Sequence, residues 1–160
     1  MDIAFPKDNE NDFKGDFIFI YPKKCFKSNQ KYGFISDKKI KPFSVYKGSN
    51  RKVFENGVDL IYGLEFSNER DFIFHRNSGM NHVLAKIAKE KNVTIGFSFS
   101  DWKKSKNKAT ILGRMHQNYV LCQKYKVKTL VASFASEPSD VADKTQLNAF
   151  ENLLKKKKLY

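Results

Sequence analysis

The side chains that could perform catalysis in this 160-residue chain are three histidines, two cysteines and seventeen carboxylates. The histidines (His75, His82 and His116) form neither a His-x-His nor a His-Glu-x-x-His pattern. The cysteines, Cys25 and Cys122, are far apart, so we expect neither zinc nor a disulfide framework and infer a reducing compartment. The ring of His82, near a predicted helix start, could bond backbone or a partner's phosphate; a structural histidine is the favoured interpretation.

Two carboxylates, Glu65 and Asp101, follow predicted strands. In parallel sheets the carboxyl ends of the strands are where active sites lie. Ser100-Asp101 also fits a helix N-cap, and this interpretation is favoured. The sequence contains no Gly-x-Ser-x-Gly, no phosphate-binding Walker loop and no Gly-x-Gly-x-x-Gly. Catalysis by this chain alone is therefore not expected.

Basic residues dominate the composition, with 30 Lys+Arg against 17 Asp+Glu and a net charge of +13. Residues 1–80 carry 14 basic and 11 acidic side chains (+3), whereas residues 81–160 carry 16 and 6 (+10). Such a surplus favours polyanions, of which nucleic acid is the commonest inside cells. Lysine far exceeds arginine, which favours phosphate attraction over base reading. A lysine-rich genome bias is the alternative explanation. The four arginines are Arg51, Arg70, Arg76 and Arg114.

Arg76 and Lys86 flank the predicted helix start Asn77-Ser78-Gly79. The free backbone N–H groups at a helix start form an anion site, and the same groups serve an ordinary cap. We therefore predict phosphate contacts at Arg76 and Lys86. Asn77, Ser78 and His82 are expected to shape the local structure or that contact.

A second basic segment, Lys103 to Lys108, follows a predicted strand. Lys103 and Lys104 are candidate phosphate contacts. Trp102 beside them could stack on an unpaired base or pack the loop onto the domain, and both interpretations stay open.

The elements that must position these residues form an α/β pattern. Apolar and aromatic runs predict short strands before residue 63, and from residue 77 helical periodicity alternates with strands. Short joints and nearly continuous apolar strands indicate parallel βαβ units. No apolar run is long enough to span a membrane and no signal peptide is expected, so we expect the protein in the cytoplasm, or in the nucleus if the source is a eukaryote. The length predicts one domain over 1–160, with a basic tail at 155–160. The predicted strands are 16–21, 32–35, 43–46, 58–62, 93–99 and 129–133, and the predicted helices are 80–92 (N-cap Ser78), 109–125 and 146–154.

Three segments are similar, in order, to protein component 3 of ribonuclease P, the archaeal form of the thirty-kilodalton subunit. His75-Arg76-Asn77-Ser78-Gly79-Met80-Asn81-His82-Val83-Leu84-Ala85-Lys86 resembles the family's Arg-x-Ser-Gly-Leu-Asp/Asn-His-Val-Leu-Ala motif. Residues 95–100 resemble the next strand, and residues 112–128 resemble the following helix. The resemblance is specific from about 58 to 154, and over 1–57 only the order of strands matches.

This resemblance implies a TIM-like β/α barrel related to polymerase-and-histidinol-phosphatase domains. At 160 residues the barrel must be reduced, with helices shortened or missing, since a standard one needs roughly 200–250. The resemblance also implies an RNA-binding subunit of the ribonucleoprotein endonuclease that removes the 5′ leader of precursor tRNA. There the RNA with its Mg²⁺ is catalytic, the chain binds no cofactor, and a small RRM-like subunit pairs with it as heterodimer or heterotetramer.

The sequence departs from the family pattern in two places. Ser133-Phe134-Ala135-Ser136 keeps the family's serine and alanine only, and Asp143 to Leu147 lacks the usual arginine and proline. Arg76 and Arg114 are the sharper phosphate candidates because both fall in matching segments. A metal-dependent phosphoesterase of the related barrel family, or a basic subunit of another RNA particle, are the competing hypotheses.

Overall fold

The computed structural model describes residues 2–6, 17–21, 32–67 and 70–155, and these contain seven parallel strands in a nearly closed barrel. Each strand pairs with the next one along the chain. The ring closes through the segment after the last strand, where the Phe5 N–H donates to the Ala135 carbonyl at 2.7 Å. The strands are β1 (Asp2–Ala4), β2 (Phe17–Tyr21), β3 (Tyr32–Ile35), β4 (Ser44–Lys47), β5 (Leu60–Tyr62), β6 (Thr94–Ser98) and β7 (Thr129–Ala132).

The α-helices of the described residues lie between residues 51 and 155. The segment 36–43 between β3 and β4 has no helix, and α1 is a single short helix, so the prediction of a reduced TIM-like α/β barrel is confirmed. Among the helices of the described residues, none has the length and apolarity needed to cross a bilayer. The helices are α1 (Arg51–Asn56), α2 (His82–Glu90), α3 (Phe99–Lys104), α4 (Lys108–Tyr125) and α5 (Lys144–Lys155).

Alternation along the strands builds two packed layers. In β5, Leu60 and Tyr62 pack in the barrel interior, whereas Ile61 packs between the sheet and the helices. The interior is filled by side chains, with Phe134 stacked on Tyr62 at 4.4 Å between ring centroids. A Cβ at Gly96 would lie 2.8 Å from the Phe134 ring, so glycine in β6 leaves room for it. The barrel is therefore a packed core and has no pore.

The helix caps differ from the sequence prediction. Asn81, and not Ser78, caps α2, since its side chain accepts the Leu84 N–H at 2.9 Å. Likewise Ser98, and not Ser100-Asp101, caps α3 by accepting the Asp101 N–H at 3.1 Å. The strand predicted to reach Phe99 therefore ends one residue earlier.

Three strands or α-helices were not predicted: β1, α1 and α3. β1 and α1 are too short to show a period, and α3 places Lys103 and Lys104, which were predicted in a loop, on a helix. Lys155 ends α5, and the rest of the predicted basic tail, like Cys25, lies outside the described residues.

Candidate nucleic-acid interface

The segment that joins β5 to α2 carries the motif 75–86, and two amides of α4 fix its backbone. The Gln117 side chain accepts the Arg76 N–H at 3.2 Å and donates to the Arg76 carbonyl at 3.1 Å. It also donates to the Ser78 hydroxyl at 2.9 Å, while the Asn118 amide donates to the Ser78 carbonyl at 2.8 Å. The motif and the helix segment 112–128 are thus two halves of one packing unit. Ser78 is buried and shapes the structure.

Gly79 is where this segment comes closest to the barrel. Its φ is +74°, and a Cβ there would lie only 2.2 Å from the Leu64 carbonyl oxygen. The Ser49 hydroxyl, from the loop after β4, donates to the Gly79 carbonyl at 2.6 Å. Glycine is therefore required for α2 to start beside β5.

Arg114 joins the same segment to α4 from the inside. Its Nε donates to Asp71 Oδ1 at 2.7 Å, and Nη1 donates to the carbonyls of Glu65 and Ser67 at 3.1 and 2.8 Å. With only 4% of its side chain exposed, Arg114 positions the loop and is not presented to a phosphate.

Arg76 approaches the same carboxylate from the outside. Its guanidinium lies against Gly113 and 3.5 Å from Asp71 Oδ2. Burial acts to raise the pKa of Asp71, but the Asn77 N–H and the two guanidinium groups outweigh it and lower that pKa. Asp71 is therefore ionised, and a partly exposed Arg76 remains at the surface.

The nine predicted RNA-contact residues fall into three groups by exposure. The buried pair is Ser78 and Arg114, the half-buried ones are Arg76, Asn77 and Trp102, and the exposed ones are His82, Lys86, Lys103 and Lys104. Only the four residues of the last group lie fully at the surface.

Trp102 packs α3 onto α5. Its ring lies 4.9 Å from that of Phe150 and 5.7 Å from that of Phe99, and its indole N–H donates to the Lys108 carbonyl at 3.1 Å. Both ring contacts are with protein, so of the two roles left open by the sequence the geometry favours packing.

Lys103 and Lys104 differ in their surroundings. Lys104 forms an ion pair with Asp140, and that hydrogen bond raises the pKa of Lys104. Lys103 is exposed, and no described carboxylate lies within ion-pair distance of it. The segment 103–108 therefore presents fewer unpaired positive charges than its sequence indicates.

A denser group of cations lies at the opposite end of the strands. Five exposed lysines surround the starts of β6 and β7, which are neighbours in the barrel. Among the described residues no ion pair involves any of them. We call this group the lysine rim: Lys89, Lys91, Lys124, Lys126 and Lys128.

The exposed face of α2 extends the lysine rim toward the motif. His82, Lys86 and Lys89 follow each other at i, i+4 and i+7, so they line one face about 10 Å long. Sequence reasoning found the basic surplus of residues 81–160 but not this clustering. The sequence signal that could have revealed the cluster is the occurrence of lysines at the end of a helix and in the short segment before the next strand.

The two carboxylates that follow predicted strands, Glu65 and Asp101, have different surroundings in the structure. Glu65 is fully buried and neither carboxylate oxygen has a hydrogen-bond donor from another described residue, so burial raises its pKa from 4.5 to about 8. Asp101 is paired with Lys47 at 2.9 Å. Burial likewise raises the pKa of the Cys122 thiol to about 12, which leaves it unreactive.

The histidines are separated in space as in sequence. His116 Nδ1 lies 2.9 Å from the Leu154 carbonyl, and His75 stacks on Phe72. Among the described residues no group of three or more His, Cys, Asp or Glu side chains could hold a metal ion. The phosphoesterase hypothesis therefore has no ligand cluster in this part of the chain.

Several curated proteins similar to this chain are named ribonuclease P protein component 3. No family model matches this chain. Ribonuclease P protein component 3 of Methanococcus maripaludis (strain C6) is 28% identical over 108 residues, which are 66% of this chain and 44% of the relative. The Methanococcus vannielii protein of the same name is 26% identical over 107 residues. The chain spans less than half the length of these curated relatives.

The fold has a solved counterpart. A chain in the cryo-EM structure of archaeal ribonuclease P with mature tRNA matches with a TM-score of 0.73 and 18% identity, covering 97% of this chain and 82% of that one. The barrel fold is therefore shared. The resemblance indicated by the motif at 75–86 is confirmed, because this chain is similar to ribonuclease P protein component 3 along 66% of its length.

Proposed function

We propose that this chain is an RNA-binding protein subunit of ribonuclease P, which supports the catalytic RNA in removing the 5′ leader from precursor tRNA in the cytoplasm. The similarity to ribonuclease P protein component 3 over 66% of the chain carries the proposal. The net charge of +13 agrees with it, because a polyanion partner is required.

The RNA-facing surface runs from the lysine rim along α2. Lys86 and Lys89 on the helix face continue the rim lysines, and Arg76 lies beyond the start of the same helix. Lysine side chains attract phosphates as point charges without reading bases. This surface therefore suits the backbone of folded RNA.

Residues that join the loop between β5 and α2 to the rest of the fold have a different role. Ser78, Gly79 and Arg114 hold the loop between β5 and α2 against α4, so they preserve the shape of the surface. A small RRM-like protein subunit is the proposed protein partner, in a heterodimer or heterotetramer. The cofactor Mg²⁺ would belong to the RNA, and this chain would bind none.

Reconstitution tests the function directly. Precursor-tRNA cleavage is measured from the cognate RNA and the other protein subunits, with and without this chain, at near-physiological Mg²⁺. We expect cleavage to depend on the chain under these conditions and less so at high Mg²⁺, which screens RNA phosphates by itself. Equal cleavage without the chain would remove the proposal, and binding to an unrelated structured RNA with equal affinity would favour another RNA particle.

A further inference from the structure

The loop between β5 and α2 ends in an apolar tip that the barrel does not cover. Ile73 and Phe74 are 94% and 96% exposed, and Phe72 is 61% exposed. Large exposed apolar side chains grouped in this way mark an interaction site. We propose that this tip binds an unpaired RNA nucleotide by stacking, an inference that rests on the proposed function and specifies one contact within it.

The loop is held rigidly beneath the tip. Asp71 is tied to Arg114 at 2.7 Å and accepts the Asn77 N–H at 2.9 Å, while Gln117 pairs with the backbone of Arg76 on both sides. The Phe72 N–H donates to the His75 carbonyl at 2.9 Å and closes the tip into a turn. Because the base of the loop is already ordered, a ligand at its tip has little conformational entropy to offset.

The tip carries aromatic rings and has a cation on each side of it in the sequence. Phe72 and His75 stack at 4.6 Å with an interplanar angle of 19°, and Phe74 is 96% exposed. Arg70 and Arg76 bracket the turn in sequence, and Asp71 is neutralised by Arg114. Aromatic rings between cations are the arrangement that binds single-stranded nucleic acid, with the base on the ring and the phosphate on the cation.

A groove of about 360 Å³ lies between the tip, Arg76 and Gln117. The partly exposed Arg76 gives this groove a positively charged lining beside the aromatic rings. Three side chains are too small an area for a stable protein interface, which needs roughly 800 Å² from each partner. One base needs no more than a single ring face, so the size of the tip favours a nucleotide.

The adjacent positions 73 and 74 allow a matched test. Both side chains are almost wholly exposed, so substitutions at either should leave the unfolding transition unchanged. Ile73 has no π face, whereas Phe74 does. Stacking therefore requires an aromatic side chain at position 74 and makes no such demand on position 73. Apolar docking into a protein groove would instead use both side chains.

The probe is a single-stranded RNA oligonucleotide with a central 2-aminopurine, compared with the same strand annealed to its complement. We expect Phe74→Ala and Phe74→Leu each to weaken single-strand binding about five- to a hundred-fold and to reduce the 2-aminopurine quenching, with duplex affinity unchanged. Phe74→Tyr should bind as the wild type does, and Ile73→Ala should stay within about two-fold.

Three results would overturn the stacking site: wild-type affinity in Phe74→Ala, wild-type affinity in Phe74→Leu, or a loss in Ile73→Ala equal to that in Phe74→Ala. The two proposals fail separately. If the wild type binds both probes and the Phe74 variants match it, stacking alone is wrong. If the wild type binds neither probe, RNA binding itself is wrong.

Discussion

Arg114 and Lys86 show how surroundings divide the basic residues between structure and binding. Arg114 is buried and donates to one carboxylate and two carbonyls, so its charge is already neutralised. Lys86 projects from α2 with no described carboxylate near enough to pair. The same residue class therefore serves the fold at one position and presents an exposed cation at the other.

We predict that Arg114→Met lowers the free energy of unfolding by roughly 2–4 kcal/mol. The substitution keeps the volume but leaves Asp71 and two carbonyls without their donor, and solvent access to Asp71 limits the loss. Urea unfolding measures the effect. Arg51→Ala is the control, because its i,i+4 pair with Glu55 is exposed and contributes less than about 0.5 kcal/mol. Equal losses in the two variants would contradict a structural role for Arg114.

Glu65 makes stability depend on pH. Its pKa is about 8 in the folded chain and near 4.5 when exposed, so between these values the native state holds a proton that the unfolded state releases. Stability therefore falls as pH rises through this window, by at most about 1.4 kcal/mol per pH unit. Below the unfolded pKa this contribution is fully present.

Glu65→Gln should remove that dependence, because glutamine stays neutral at similar volume. We expect the variant to show a flatter stability profile between pH 5 and 8 and to exceed the wild type above it, as measured by urea unfolding across pH. Glu90→Gln, at an exposed position on α2, is the matched control. An unchanged slope in Glu65→Gln would show that another group titrates.

At the scale of elements, long periodic helices and the apolar strands were predictable, whereas the short elements β1 and α1 were not. The stripe through Ile111, Met115 and Tyr119 predicted α4 because burial of one face fixes its period. β1 and α1 have three and six residues, too few for any period to show. The caps failed for another reason: Asn81 and Ser78 are equally good cap residues, and only packing against Gln117 and Asn118 decides between them.

The close approach of α2 to β5 requires glycine at position 79, and this requirement can be tested by substitution. Gly79→Ala meets the Leu64 carbonyl at 2.2 Å and keeps a φ of +74°, so we expect a loss of roughly 3 kcal/mol or more. Gly48→Ala also has a positive φ but has open space around it, and should cost about 1 kcal/mol. Thermal unfolding of both variants checks the difference. Similar losses would mean that α2 shifts easily away from β5.

At the scale of the whole molecule, the pairing of β6 with β7 decides which cations lie together. Lys91 and Lys126 are 35 positions apart in sequence, yet both stand where helices return to the adjacent strands β6 and β7. No sequence pattern of charges alone indicates this grouping. The predicted basic loop at 103–108, by contrast, is partly neutralised by Asp140, which reaches Lys104 from after β7.

The salt dependence of RNA binding tests whether the lysine rim faces the RNA. Replacing Lys91, Lys126 and Lys128 by glutamine should weaken binding and reduce the slope of log K against log salt. The reduction should be about 0.7–0.9 for each RNA phosphate that the variant no longer neutralises, or up to about 2–3 in total. Fluorescence anisotropy with labelled ribonuclease P RNA, between about 50 and 200 mM salt, measures this.

The control removes the same charge from lysines that are already paired. Lys39, Lys47 and Lys104 bond to Asp59, Asp101 and Asp140, so replacing them by glutamine lowers the net charge equally without removing free cations. If only the total charge matters, both triple variants will flatten the slope alike. If the rim contacts phosphates, the first variant will lose slope and the second will keep most of it. That difference separates a specific RNA-binding surface from general attraction to a polyanion.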